Sequence, residues 1–286
     1  MTLEDMERPD EAIPSSSAES LSSPGNAEQA IDESSDVDGD FADLQKMLSQ
    51  RRRAAKDSPE ARLLKALPCI KKFSPLVRPL TISDLKSAIA LENAAFPNPD
   101  HRASPEKLEY RLSVCPELSL GVFVTLVPEQ AKALGIATLE TANPVESGRV
   151  DGAVSVLLAH IVSTRCRGAT ITDDDMDYPK EWRDRSQRSG QPLGHYEAGK
   201  TVGVHSLAVL PLLQRCGMGQ LIMRSFLDQM GGCGLVDKVA LICQEHLVAY
   251  YQRLGFQHLG ESKAQFGGGG WHDMVYDLSR HRKPSI

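Results

Sequence analysis

A lone histidine, His205, stands in the apolar run "VHSLAV" (204–209), which reads as a buried strand. Just beyond it, Gln214-Arg215-Cys216-Gly217-Met218-Gly219 makes a turn with two glycines and leads into an apolar helix. Backbone N–H groups in a glycine-permitted turn, backed by a helix N-terminus, form a site for a pyrophosphate. The spacing is Q-x-x-G-x-G. No lysine follows, as a phosphate-binding P-loop requires, and the G-x-G-x-x-G dinucleotide pattern is not met. An imidazole that titrates near neutrality can take a proton from an incoming nucleophile. An anion cradle and a candidate base therefore sit on one strand-loop-helix unit.

The elements that must hold this unit follow from periodicity. Alternation along a strand over 201–210 sets His205 on one face with Leu207 and Val209. A helix follows over 217–230, then a strand over 237–243, a helix over 245–254, and strands over 256–260 and 271–278. This order predicts an α/β core with at least one parallel strand pair. Upstream, "LVRPL" is an edge-strand candidate because Pro79 cannot donate to a central ladder. Thr81 or Ser83 can cap a helix in which Leu85, Ala88, Ile89, Glu92, Ala95 and Phe96 follow the 3.6 spacing. Ser104-Pro105-Glu106 starts a second helix, ending near Cys115-Pro116. Strands are expected over 118–127 and 154–165. Between the last of these and the histidine strand, residues 166–199 form a polar insertion containing Asp173, Asp174, Asp175 and Asp177. Connections of that length are usually functional or disordered. "FGGGGWHDM" (266–274) reads as a flexible hairpin loop, since no helix follows its glycines.

Composition narrows the function classes. The 286 residues suffice for one good-sized domain or two small ones. No apolar run reaches membrane-spanning length, and the acidic start lacks the features of a secretory signal or a mitochondrial presequence. Six cysteines (Cys69, Cys115, Cys166, Cys216, Cys233, Cys243) show no C-x-x-C spacing, which argues against a zinc site and a disulfide scaffold. Reduced thiols fit a cytoplasmic or nuclear protein, and cytoplasmic is the expectation. Residues 1–50 carry 2 Lys/Arg against 13 Asp/Glu, a net of −11; the remainder carries 30 against 25, a net of +5. A weakly basic body suits a small anionic ligand and not nucleic acid. Residues 1–40, rich in Ser, Glu, Asp and Pro, read as disordered. The organisation expected is an acidic, largely disordered region over 1–72, with room for a protein partner, and a folded domain over 73–286. Arg51-Arg52-Arg53 reads as a solvated helix face or a docking patch.

Three stretches taken together resemble a known family. "CPELSLG" (115–121), "VHSLAVLPLLQRCGMG" (204–219) and "VALICQEHLVAYYQRLGF" (239–256) resemble, in order and approximate spacing, the arylalkylamine (serotonin) N-acetyltransferase branch of the GNAT superfamily. The "GVHS" form of the strand and the long loop before it are closest to the fungal polyamine N-acetyltransferases of that branch. The resemblance covers about residues 75–279.

It implies the GNAT acyl-CoA N-acyltransferase fold, an α/β arrangement with a mixed central sheet flanked by helices. It also implies acetyl transfer from acetyl-CoA to a primary amine by direct attack in a ternary complex, with no metal. Leu207, Ala208, Val209, Gln214, Arg215, Cys216, Gly217, Met218 and Gly219 would then bind the cofactor. His205 would be the base, for an amine that titrates near about 10 and arrives protonated. The family's second histidine, two residues earlier, is replaced by Gly203, which leaves water or His195 to complete a proton relay. Tyr251 matches the tyrosine that protonates the leaving thiolate, although spacing alone does not separate it from Tyr250. Phe96, Phe123 and Trp271 match aromatic residues of the amine pocket and read equally well as core. The substrate expected is an arylalkylamine, a diamine or a polyamine. Two rivals stay open: a protein lysine acetyltransferase, and a non-catalytic acyl-CoA-binding module with the acidic tail as its partner arm.

Overall fold

The computed structural model describes residues 75–145, 150–184 and 193–281. The acidic region over 1–72, its basic cluster and Cys69 lie outside the described residues. The core is one eight-stranded mixed sheet in the order β1-β2-β4-β5-β6-β8-β7, with a short β3 paired to β4. The strands are β1 (Leu76–Pro79), β2 (Leu120–Leu126), β3 (Asn143–Pro144), β4 (Val154–Cys166), β5 (Thr201–Val209), β6 (Lys238–Gln244), β7 (Gln257–Glu261) and β8 (Trp271–Asp277). All neighbours are antiparallel except β5 and β6, the parallel pair that the strand-helix-strand pattern requires. Pro79 sits on the outermost strand, where its missing N–H costs no ladder bond. The short β3 was not legible in the sequence.

The helices are α1 (Leu85–Ala95), α2 (Pro105–Val114), α3 (Pro128–Ala131), α4 (Asp173–Met176), α5 (Met218–Cys233) and α6 (Glu245–Arg253). Ser104 caps α2, accepting from the Lys107 N–H, with Pro105 at the first helical position. Thr81 and Asp84 form a reciprocal capping box one turn before α1. At the start of α5, Gly217 has φ 92°, a conformation that favours glycine.

A buried polar link ties α1 to the sheet. Glu92 Oε2 accepts from the Ser206 hydroxyl at 2.6 Å and lies 3.1 Å from His160 Nε2, while Glu92 Oε1 accepts from the Ala103 N–H at 2.9 Å. Burial raises the carboxyl pKa, but His160, Ala103 and Ser206 together outweigh it and hold the group below its ordinary value.

β5 carries one irregularity. Val204 pairs with Ser163 and Ser206 with Val162, so His205 is an extra residue with no partner on β4. This β-bulge also marks where β5 leaves β6: their pairing runs from Thr201 and Lys238 to Val204 and Leu241 and stops. Beyond it, 205–209 and 242–244 diverge and leave an opening between two strands.

The insertion after β4 is built onto the sheet and α2. Ile171 and Met176 are buried, and Asp175 closes a capping box with Thr172. Asp173 accepts from the N–H groups of Gln265 and Phe266, fastening α4 to the β7–β8 loop. A Cβ on Gly203 would stand 2.4 Å from Cys166 Sγ and 3.3 Å from Ile171. That space is full.

Two outcomes are expected. Gly203→Ala destabilises the domain by about 1–3 kcal/mol through overpacking, read as a lower denaturant midpoint at unchanged slope. For Glu92, a depressed carboxyl contributes stability that is complete above the ordinary value of 4.5 and lost as the pH falls through the folded-state value. Denaturant midpoints therefore fall between pH 7 and pH 4 less steeply in Glu92→Gln than in the wild type.

Candidate active site

The bulge decides which residues share a face with His205. Strict alternation puts it with Leu207 and Val209. With one residue inserted, His205 keeps the face of Gly203 and its partner Thr164, Ser206 joins that face, Leu207 and Val209 go to the other, and the expected grouping is corrected. Its Nε2 lies 2.7 Å from the Thr164 hydroxyl on β4, and its Nδ1 lies 3.2 Å from the sulfur of Met176 on α4. Sulfur has no hydrogen to give. The Met176 contact is thus a hydrogen bond only when Nδ1 carries the ring proton, with Thr164 donating to Nε2. In the other tautomer Nε2–H donates to Thr164, and Nδ1 presents its lone pair beside Met176. Burial lowers the imidazole pKa well below its ordinary value, and the positive charges of Arg111, Lys107 and His195 lower it further. The ring is neutral at physiological pH and able to accept a proton.

His205 borders a cavity of about 520 Å³ that opens through the gap between β5 and β6. Phe96, Pro97, Asn98 and His101 line it from the segment after α1, Met176 from the insertion, and Phe266 and Trp271 from the β7–β8 loop. The aromatic end is ordered by its own contacts. His101 and Trp271 meet edge-on with centroids 5.1 Å apart, and the Trp271 Nε1–H donates to the Phe266 carbonyl at 2.5 Å. Ser206 also faces this cavity, so the Glu92 carboxylate lies one hydroxyl away from it. Among the described lining residues there is no carboxylate and no lysine or arginine.

A second cleft, about 500 Å³, runs along the other side of the gap. Leu207, Val209, Gln214, Arg215, Gly217 and Gly219 line it, together with Tyr250 and Tyr251 of α6. Arg215 has φ 59°, the one non-glycine residue with positive φ among the described residues. Arg215 and Gly217 thus both adopt left-handed backbone, the kind of turn that gathers N–H groups at a helix start. Gly219 has a different reason to be glycine: a Cβ there would lie 3.0 Å from the Tyr250 hydroxyl.

The two cavities share Phe96, Leu207, His246, Leu247 and Tyr251. Tyr251 is buried, and burial raises its phenol pKa, with Tyr250 and Cys243 adding to the effect, so it keeps its proton as a donor. Tyr250 lines the second cleft and not the first, a distinction helical spacing did not provide. Cys243 also lines the first cavity, its thiol pushed up to about 11 by burial, a poor nucleophile.

Several candidate residues lie elsewhere. Phe123 is buried on β2 beneath the Arg78 guanidinium, 3.7 Å from its ring centroid, and lines neither cavity. Ala208 and Met218 are fully buried in the core and can offer only backbone to the cleft, while exposed Cys216 is not part of its lining. His195 does not line the amine-sized cavity; its Nδ1 accepts from the Arg165 N–H and its Nε2 lies 2.9 Å from Glu197. The place a second strand histidine would take, at Gly203, is filled by Cys166 and Ile171. Met176, His101, Phe266 and Gln244 were not singled out in the sequence, because each reaches the cavity from a short turn of helix or a strand end with no periodicity to betray it. Among the described residues no helix is long and apolar enough to cross a membrane, and no cluster of three His, Cys, Asp or Glu could hold a metal ion.

Residues 159–278 match the acetyltransferase (GNAT) domain family. The chain is 23% identical over 206 residues to serotonin N-acetyltransferase from Mesocricetus auratus, spanning 71% of this chain and 78% of that one. It is 28% identical over 87 residues to the Macaca mulatta enzyme of the same name, 30% of this chain and 43% of that protein. Among solved structures, the loading GNATL domain of CurA from Lyngbya majuscula superposes with a TM-score of 0.47 at 17% identity, over 73% of this chain and 99% of that domain. Residues 159–278 thus match a GNAT acetyltransferase domain, and the eight-stranded mixed sheet flanked by helices is the α/β fold expected.

Proposed function

We propose that the protein transfers acetyl from acetyl-CoA to the primary amine of an arylalkylamine by direct attack in a ternary complex. The observation that carries this reading is the junction of two cavities at Tyr251 and Leu207, one beside the glycine turn and one beside a neutral buried imidazole. In this reading coenzyme A enters along 205–209, where β5 has left β6 and that edge pairs with no strand, the Val209 carbonyl accepting from the Gln214 side-chain amide. The pyrophosphate meets the N–H groups of the turn over 214–219 and the positive end of the α5 dipole. Residues Leu207, Val209, Gln214, Arg215, Gly217 and Gly219 contribute lining, and Ala208, Cys216 and Met218 contribute backbone at most.

The amine enters the first cavity as an ammonium. In the Nε2–H tautomer His205 accepts a proton at Nδ1, and the freed amine attacks the thioester carbonyl. The Tyr251 hydroxyl donates to the sulfur as the C–S bond breaks, where negative charge develops, and the extra proton on the acylated nitrogen restores the hydroxyl. Phe96 and Trp271, with Phe266 and His101, supply an aromatic wall for the far end of the substrate. A polyamine would bring a second ammonium into a cavity whose described lining has no carboxylate to receive it, and the cost of burying that charge unpaired disfavours it. A lysine side chain on a protein would have to reach past α4 and the β7–β8 loop, which Asp173 holds together. The names of the relatives, serotonin N-acetyltransferases, point the same way.

CoA release is the test. With tryptamine or phenylethylamine, turnover should exceed that with spermidine or a lysine peptide by at least about tenfold in kcat/KM. Release with the peptide alone, or with none of the four, would overturn the reading. Tyr251→Phe should lose roughly 10- to 100-fold in kcat with little change in KM, since its donation is made only as the thiolate departs. In His205→Gln the loss should be about 100-fold or more near neutrality and shrink as the pH approaches the amine's own range, where free amine needs no base.

A further inference from the structure

Arg111 lies on α2 with its side chain 2% exposed, deep beneath the insertion. Its Nη2 donates to the carbonyl of Met176 at 3.0 Å, and Met176 is the residue whose sulfur stands 3.2 Å from His205 Nδ1. Among the described residues no carboxylate lies within ion-pair distance of this guanidinium. The carboxylate that acts on it most, Glu92, is already held by His160, Ser206 and Ala103. Burying a cation without a partner costs several kcal/mol. Burial draws the Arg111 pKa down to about 10, which still leaves it charged at neutral pH. A side chain of that size on an amphipathic helix could be replaced by methionine at no such cost, so its charge and its fork of donors call for a use.

The use is visible at the other end of Met176. We propose that Arg111 is a positioning residue for the base: it pins the α4 segment against His205 and, as a fixed buried positive charge, keeps that imidazole unprotonated when an ammonium arrives. The positive charges of Arg111 and Lys107, both on α2, act on His205, and His195 acts from the segment that closes the insertion. Both α2 cations oppose an imidazolium. The neutral side chains around the ring are Thr164 and Met176, with Tyr251 and Cys243 across the cavity. Thr164 and Met176 orient the two nitrogens, and Arg111 orients Met176. The structure therefore uses a cation from α2 to keep the base neutral, while the space at Gly203, where a second histidine could stand, holds packed side chains.

The inference rests on His205 being the base, and the experiment separates the two ideas. The His205 ring is titrated by NMR in the full chain, its resonance identified by its absence in His205→Gln, and the pH profile of kcat is recorded alongside. In Arg111→Met the ring midpoint should rise by roughly one pH unit or more toward the ordinary histidine value. The acid limb of kcat should move up with it, at unchanged KM for acetyl-CoA. Arg111→Lys, which keeps the charge, should keep the midpoint low. Arg111→Gln can still donate to the Met176 carbonyl without the charge, so it should raise the midpoint even if Arg111→Met fails to fold. A midpoint in Arg111→Gln equal to that of the wild type overturns the inference, whatever the activity. A midpoint that moves while no amine is turned over leaves the electrostatic role standing and removes the base assignment.

Discussion

Between Val204 and Ser206, β5 carries one residue more than β4 can pair, and the site depends on that mismatch. A strand without the bulge would keep its hydrogen bonds to β6 and close the gap through which both cavities open. It would also keep Leu207 and Val209 on the face that His205 shares with Gly203 and Thr164. One extra residue thus does two things. It frees one edge of β5 from pairing, and it parts the face of the imidazole from that of Leu207 and Val209.

The second constraint is the cost of burying polar groups near that space. Glu92 stays ionised in the interior because His160, Ser206 and the Ala103 N–H satisfy it, and Ala103 belongs to the segment between α1 and α2 whose other residues wall the cavity. His205, by contrast, is acted on by the positive charges of Arg111 and Lys107. The two histidines of the sheet interior therefore have opposite settings. His160 sits beside a carboxylate, and His205 sits among cations and neutral groups. Their distinct roles follow from neighbours that come from α1, α2 and the insertion, none of them close in sequence.

Much of the fold was legible in the sequence because it rests on local patterns. Ser104-Pro105 marked the start of α2, Pro79 marked an outer strand, and the alternation of strands and helices from 201 onward required a parallel pair, found between β5 and β6. The glycine turn was legible as an anion-sized element, although only one of its glycines is needed for its backbone angle; the other makes room for the Tyr250 hydroxyl. The insertion over 166–199 was legible as something other than an ordinary connection. That Asp173 would fasten it to the β7–β8 loop was not, since those partners lie about ninety residues away in the chain.

By itself the sequence determined the order of the main elements from residue 201 onward and the place of the glycine turn between a strand and a helix, and it put His205 on that strand. These are properties of spacing, which the chain carries whatever its surroundings. Only the tertiary structure decided that His205 faces Thr164 and not Leu207, that Tyr251 rather than Tyr250 reaches both cavities, and that Phe123 belongs to the core. It also brought Met176 to His205 and Arg111 to Met176. The physical reason is common to all of these. A bulge, a helix rotation or a cavity wall is set by packing between segments far apart in sequence, and a periodicity read along one segment contains no term for the segment that packs against it.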